Sequence, residues 1–167
     1  MSSDLHMRGG VLPPALLFVA LGLALGFAPR RAWLPSVLAL LVTLAAFTLV
    51  PAPPGLADAV FAGCWVSVIA TAASVHLVRG LPPWAAVAFS VNVGVWAGAV
   101  VSVSGSRLDL LKALPCVSIF LPASWLVARR ASIPVKVVSS WVIAIAALAA
   151  TLQLLPVTPG YLPDHLE

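Results

Sequence analysis

Charge is what this sequence has least of. Only 8% of its 167 residues are Asp, Glu, Lys or Arg, against roughly 25% in an ordinary soluble domain. That excludes a water-soluble globule, which needs a polar surface this chain cannot supply. The shortage is sharpest for acids. Asp4, Asp58, Asp109, Asp164 and Glu167 are the whole set, and each falls in a tail or a connection. A proton-coupled carrier built on a carboxylate in mid-membrane is therefore disfavoured. Cysteine is almost as scarce, with Cys64 and Cys116 far apart, no C-x-x-C pair and no histidine at ligand spacing. A disulfide framework and a zinc site drop out, and both thiols read as small buried hydrophobes. No glycine-rich phosphate loop, nucleophile elbow, H-E-x-x-H or haem-attachment motif occurs. The expectation is a chain that is not an enzyme, with no catalytic residue, no metal and no cofactor.

What is present is apolar length. Hydrophobic residues make up 62% of the chain and mean hydropathy is +1.10. A helix crossing hydrocarbon needs about 20 mostly apolar residues, and six runs approach that: 11–28, 33–50, 57–78, 83–103, 111–127 and 134–155. The fold class that follows is all-α, a polytopic membrane helix bundle of about six transmembrane helices arranged as three hairpins with short loops. It forms a single integral membrane domain over 1–167, with polar tails at 1–10 and 156–167. The fifth run is the weakest, because it is short, starts near Lys112 and contains Pro115 and Pro122; a kinked or re-entrant segment is the alternative. The first run ends on Arg30 and Arg31 where a signal peptide would carry a small-residue cleavage site, and so reads as a retained helix.

Basic residues set the orientation. If the connection between the first two runs faces the cytoplasm, that side gathers Arg30, Arg31, Arg79, Arg129, Arg130 and Lys136, leaving Arg8, Arg107 and Lys112 opposite. The positive-inside rule then puts both termini outside, in the periplasm for a bacterial inner membrane. Arg31, Arg79 and Arg130 are each followed four residues later by a proline, so R-x-x-x-P marks all three turns on that side. Arginine suits the carbonyl end of one helix, and proline suits the first turn of the next. Nine scattered cations build no nucleic-acid-binding face; the lipid bilayer is the expected partner, with anionic headgroups near these turn anchors.

Small residues mark where helices meet, since lipid is no less apolar than leucine. Ser90, Gly94, Gly98 and Ser102 recur every four residues in the fourth run, and Ala20, Ala24, Ala28 with Gly22 and Gly26 make two rows in the first. Asn92, the only asparagine, lies near the midpoint of the fourth run. It sits about 200° round the helix from Gly94 and shares a side with Trp96. The simple role for it is an interhelical hydrogen bond; the alternative is a midplane ligand contact made by Asn92, Trp96 and Trp141. Trp33, Trp84 and Trp125 stand near helix ends, where indoles anchor in headgroups. His76 lies three residues before Arg79 and reads as part of a helix terminus.

Two functions remain. One is a non-catalytic structural, accessory or assembly subunit of a larger membrane complex, partnered by other membrane subunits; the other is a small homo-oligomeric transporter or channel. The absence of ionisable groups at depth favours the first.

Overall fold

The computed structural model describes residues 11–50, 53–77, 80–104 and 107–154; Arg79 and the two polar tails lie outside them. The described residues form an all-α bundle. Its helices are α1 (Leu12–Leu25), α2 (Trp33–Leu49), α3 (Ala57–Ala73), α4 (Pro83–Ser104), α5 (Arg107–Ala113), α6 (Phe120–Ala128) and α7 (Ile133–Leu154). Short 3₁₀ turns precede α2 and follow α3, and a longer one, Leu114–Ile119, joins α5 to α6. Five helical stretches are long and apolar enough to cross a membrane: Arg30–Leu49, Ala57–His76, Pro83–Val103, Leu108–Ala128 and Ile133–Gln153.

The short helix is therefore the first and not the fifth. Leu108–Ala128 runs through 21 residues because its two prolines are absorbed. Pro115 sits in the Leu114–Ile119 3₁₀ stretch, and Pro122 falls in the first turn of α6, where a missing N–H has no intrahelical partner to lose. By contrast α1 has 14 residues, about 21 Å at the usual rise per residue. Pro13 and Pro14 open it, both buried, in the positions that tolerate proline best.

α1 occupies the centre. It packs against α3, α4, α5, the Leu114–Ile119 turn, α6 and α7, and from Leu17 to Gly26 every residue except Val19 is buried. A helix apolar all round belongs inside, and the small residues explain how neighbours reach it from two sides. At Gly22 an added Cβ would come within 2.8 Å of the Val117 carbonyl oxygen, and at Gly26 within 2.7 Å of the Ala123 Cβ. Both partners belong to the fifth span, so one side of its irregular backbone, at Val117, lies directly against α1, while Pro115 and Ser118 on the other side are exposed.

Around this axis α3 and α4 pack as the expected hairpin, but the first and third hairpins do not set the main pairings. The turns are tight, but the main partner of α2 is α4, and α7 returns to lie on α3. The stripe on α4 decides the first pairing. A Cβ at Gly94 would stand 2.8 Å from the Leu40 carbonyl oxygen, and one at Gly98 would stand 2.7 Å from the Phe47 Cβ and 3.0 Å from the Leu44 carbonyl oxygen. Only glycine lets the two backbones come so close. Ser90 is fully buried on the same row and donates to the Ala86 carbonyl at 2.9 Å, and Ser102 donates to Ala99 at 2.8 Å. Each hydroxyl is thereby satisfied within its own helix. The opposite face of α2 carries Leu34 (71% exposed), Leu38, Val42 and Leu49 outward, the composition of a surface that meets lipid.

The turns collect at one end of the bundle. Phe27 in the first connection accepts a hydrogen bond from the Leu81 N–H of the second, at 3.4 Å, and Gly80 takes φ +72° beside it. The third turn closes α6 with a double cap: Arg130 N–H reaches Val127 O at 3.0 Å and Ala131 N–H reaches Leu126 O at 2.9 Å. This is a Schellman arrangement, with Arg130 at φ 60° in the position glycine usually takes.

Candidate functional site

Two places hold polar groups that the fold brings together from separate helices. The first is a seam at mid-depth between α3 and α4, continued by α7. Ser67 and Thr71 on α3 and Ser74 in the 3₁₀ turn that follows it continue one row at helical spacing, and all three are buried. The Asn92 side-chain amide donates to the Ser67 hydroxyl at 2.5 Å. One helical turn further along α4, the indole of Trp96 lies over Gly63, so closely that a Cβ there would clash with its ring carbons. On the other side of α3, the Ser139 hydroxyl of α7 donates to the Ala72 carbonyl at 2.7 Å, and Ser74 returns to Thr71 O at 2.6 Å. His76 is exposed at the end of this seam, with its Nε2 3.5 Å from the Ser140 hydroxyl.

Asn92 and Trp96 thus share the face that meets α3, while Trp141 does not join them. It projects from α7 with 69% of its surface exposed. The midplane set drawn from the sequence divides accordingly into a packed pair and an outward indole. Trp65, the other tryptophan at depth, is buried in the core on α3. Among the described residues the buried polar side chains are neutral hydroxyls, and Asn92 adds one half-buried amide. Ser67 and Ser139 join helices, Ser74 and Ser90 bond carbonyls of their own segment, and the Ser36 and Thr71 hydroxyls have no partner; none of these groups holds a charge. No cluster of three His, Cys, Asp or Glu side chains suited to a metal exists among the described residues, and Cys64 and Cys116 are both free thiols.

The second place is the turn end. A cavity of about 970 Å³ opens between the first turn, the second turn and the last residues of α6, with Arg30, Trp33, Gly80, Ser124 and Trp125 in its wall. The Arg30 guanidinium lies 5.8 Å from the centre of the Trp33 ring, and that of Arg129 stacks 3.9 Å above Trp125. Trp33 in turn meets Phe120 edge-on at 5.0 Å between ring centres, which fixes the start of α2 against the fifth span. Arg31 and Arg130 are exposed at the same end. The turn anchors named from the sequence therefore converge, apart from Arg79, which lies outside the described residues.

Sequence reasoning missed the partners: Ser67 and Gly63 for the α4 face, Ser139 for α7, and Phe27 for the second turn. The Ser67, Thr71, Ser74 row was available as a signal, being a polar stripe at helical spacing in an apolar run. No protein-family model matches the chain, and neither the curated proteins nor the solved structures give a match to it.

Proposed function

We propose that this chain is a non-catalytic subunit of a larger membrane assembly, acting by holding helix faces in fixed geometry. One observation carries the reading. The middle of the bundle, where a single-chain pathway would run, is filled by α1, with Leu17, Phe18, Ala20, Leu21 and Ala24 at zero exposure. A scaffold of this type keeps a solid centre and offers its outward apolar faces, those of α2 and α7, to neighbours. In this reading the turn end faces the cytoplasm and both termini lie outside, in a bacterial inner membrane, because Arg30, Arg31, Arg129 and Arg130 gather on that side.

Extraction of the tagged protein in mild detergent, followed by mass spectrometry of what co-purifies, tests it. Foreign membrane subunits at stoichiometric level are expected. Recovery of a homo-oligomer alone would overturn the proposal. Impermeant maleimide should label Asp4→Cys and His165→Cys from outside the cell; labelling of one and not the other would overturn the orientation.

A second reading, a homo-oligomeric transporter or channel, is favoured by a groove of about 480 Å³ that reaches Asn92 past Trp84 and Phe89. In reconstituted vesicles, Asn92→Leu should alter flux if that groove carries a substrate. Unchanged flux would remove it.

A further inference from the structure

The cavity at the turn end has a chemical character that the scaffold reading leaves unused. Its wall combines apolar and aromatic surface with one guanidinium. Pro29, Pro82 and Pro83 in the wall have no N–H to offer, and the N–H groups of Gly26, Phe27, Ala28, Gly80 and Leu81 already bond backbone carbonyls, so side chains are the main source of donors toward a ligand. The Ser124 hydroxyl already donates to Leu121 O at 2.8 Å, which leaves the Arg30 guanidinium as the charged donor and the buried, unpartnered indole N–H of Trp33 beside it. Arg129 lies just beyond, stacked on the Trp125 that lines the cavity. Stacking on an indole holds a guanidinium in place by its face and leaves its N–H edge directed outward. The two acids of the described helices stand at the other end of the bundle, Asp58 in the first turn of α3 and Asp109 in the first turn of α5. The site is thus positive, aromatic-walled and placed where a helix bundle leaves the hydrocarbon.

We propose that this cavity binds one anionic phospholipid, its phosphate held by Arg30 and Arg129 and its glycerol and upper acyl carbons lying against Trp33 and Trp125. The phosphate alone would satisfy the two guanidinium groups; the apolar remainder of the wall selects a lipid over a free anion. Basic pockets between helices at a membrane face recognise headgroups in this way, and a planar guanidinium matches two phosphate oxygens at once. The lipid would join the first turn to the end of α6, whose first residue, Phe120, already meets Trp33.

Native mass spectrometry of the full chain in mild detergent, with dioleoyl phosphatidylglycerol or dioleoyl phosphatidylcholine added at equal concentration, tests the proposal. Phosphatidylglycerol should be retained in preference. Arg30→Gln and Arg129→Gln should each lower that retention about fivefold, as expected for loss of one cation near the headgroup layer. Lys112→Gln, at the opposite end, should leave it unchanged. Sodium phosphate at millimolar concentration should not displace the lipid. Equal retention of the two lipids, or arginine variants indistinguishable from the parent, would overturn the assignment; displacement by phosphate would also overturn it, by making the ligand a soluble anion. A measurement without any substitution guards against misfolded variants. Brominated phosphatidylglycerol should quench the tryptophan emission of the unmodified protein more than brominated phosphatidylcholine does, and equal quenching counts against the site.

Discussion

The Asn92 amide donates to the Ser67 hydroxyl across the contact between α4 and α3. It is the one hydrogen bond between two side chains on different membrane-spanning helices that lies at mid-depth among the described residues. Its worth is bounded by the alternatives open to Asn92 in an unfolded chain still within the membrane. Asn92→Leu and Ser67→Ala should each cost about 0.6 kcal/mol, and no more than roughly 2. In a double-mutant cycle, measured by unfolding in rising detergent denaturant, the pair should be non-additive by a similar amount. Full additivity would show that the bond contributes nothing.

Gly94 and Gly98 give a steeper prediction. An alanine methyl at either position would meet backbone atoms of α2, at 2.8 Å for Leu40 O and 3.0 Å for Leu44 O, and backbone cannot move aside as a flexible side chain can. Gly94→Ala and Gly98→Ala should each destabilise by about 1–3 kcal/mol. They should also loosen α2, read as weaker disulfide cross-linking between cysteines placed on α2 and α4. Gly55→Ala is the control, since nothing lies within 4 Å of its added methyl.

The cap of α6 predicts a gain. Arg130 holds φ 60°, a conformation that costs an L-residue with a side chain roughly 1 kcal/mol. Arg130→Gly should therefore be more stable than Arg130→Ala by about that amount, with the charge equally absent from both. Equal stability of the two variants would mean that the turn relaxes when the arginine is removed.

Position in the bundle separates large hydrophobic side chains that look alike in sequence. Phe18 is wholly enclosed on α1 whereas Leu34 is 71% exposed on α2. Phe18→Ala should cost about 3–5 kcal/mol through the void it leaves. Leu34→Ala exchanges one apolar surface for another against lipid and should stay within about 0.5 kcal/mol. Thermal melts in one detergent compare them directly.

Much of this fold was legible before any coordinates, because hydrocarbon imposes a length on every crossing and a charge bias on every connection. Six apolar runs, three arginine-to-proline turns on one side and the small-residue row on α4 all follow from that. Depth could be read, but direction could not. Lipid and protein interior are equally apolar, so the sequence of α1 does not announce that it lies at the centre, and Trp141 carries no mark that it faces outward. The two small-residue rows of α1 were the available hint, since a helix with two close-packing sides needs neighbours on both. The pairing of α2 with α4 was hidden for a further reason: a tight turn fixes which ends are near each other, not which faces meet. Proline misled in the fifth run, where 3₁₀ winding and a first-turn position removed its usual cost.

The shortness of α1 has a bearing on how the protein tolerates its surroundings. A 14-residue helix exposed to lipid would be about 9 Å too short for a 30 Å hydrocarbon layer, and the bilayer would have to thin around it. Packed between α3, α4, the fifth span and α7, α1 is buried from Leu17 to Leu25 apart from Val19, so little of the mismatch is felt. Membrane thickness then acts chiefly on the five outer stretches, each 20 or 21 residues long, and these can tilt to meet a thinner or thicker bilayer while the axis they surround keeps its length.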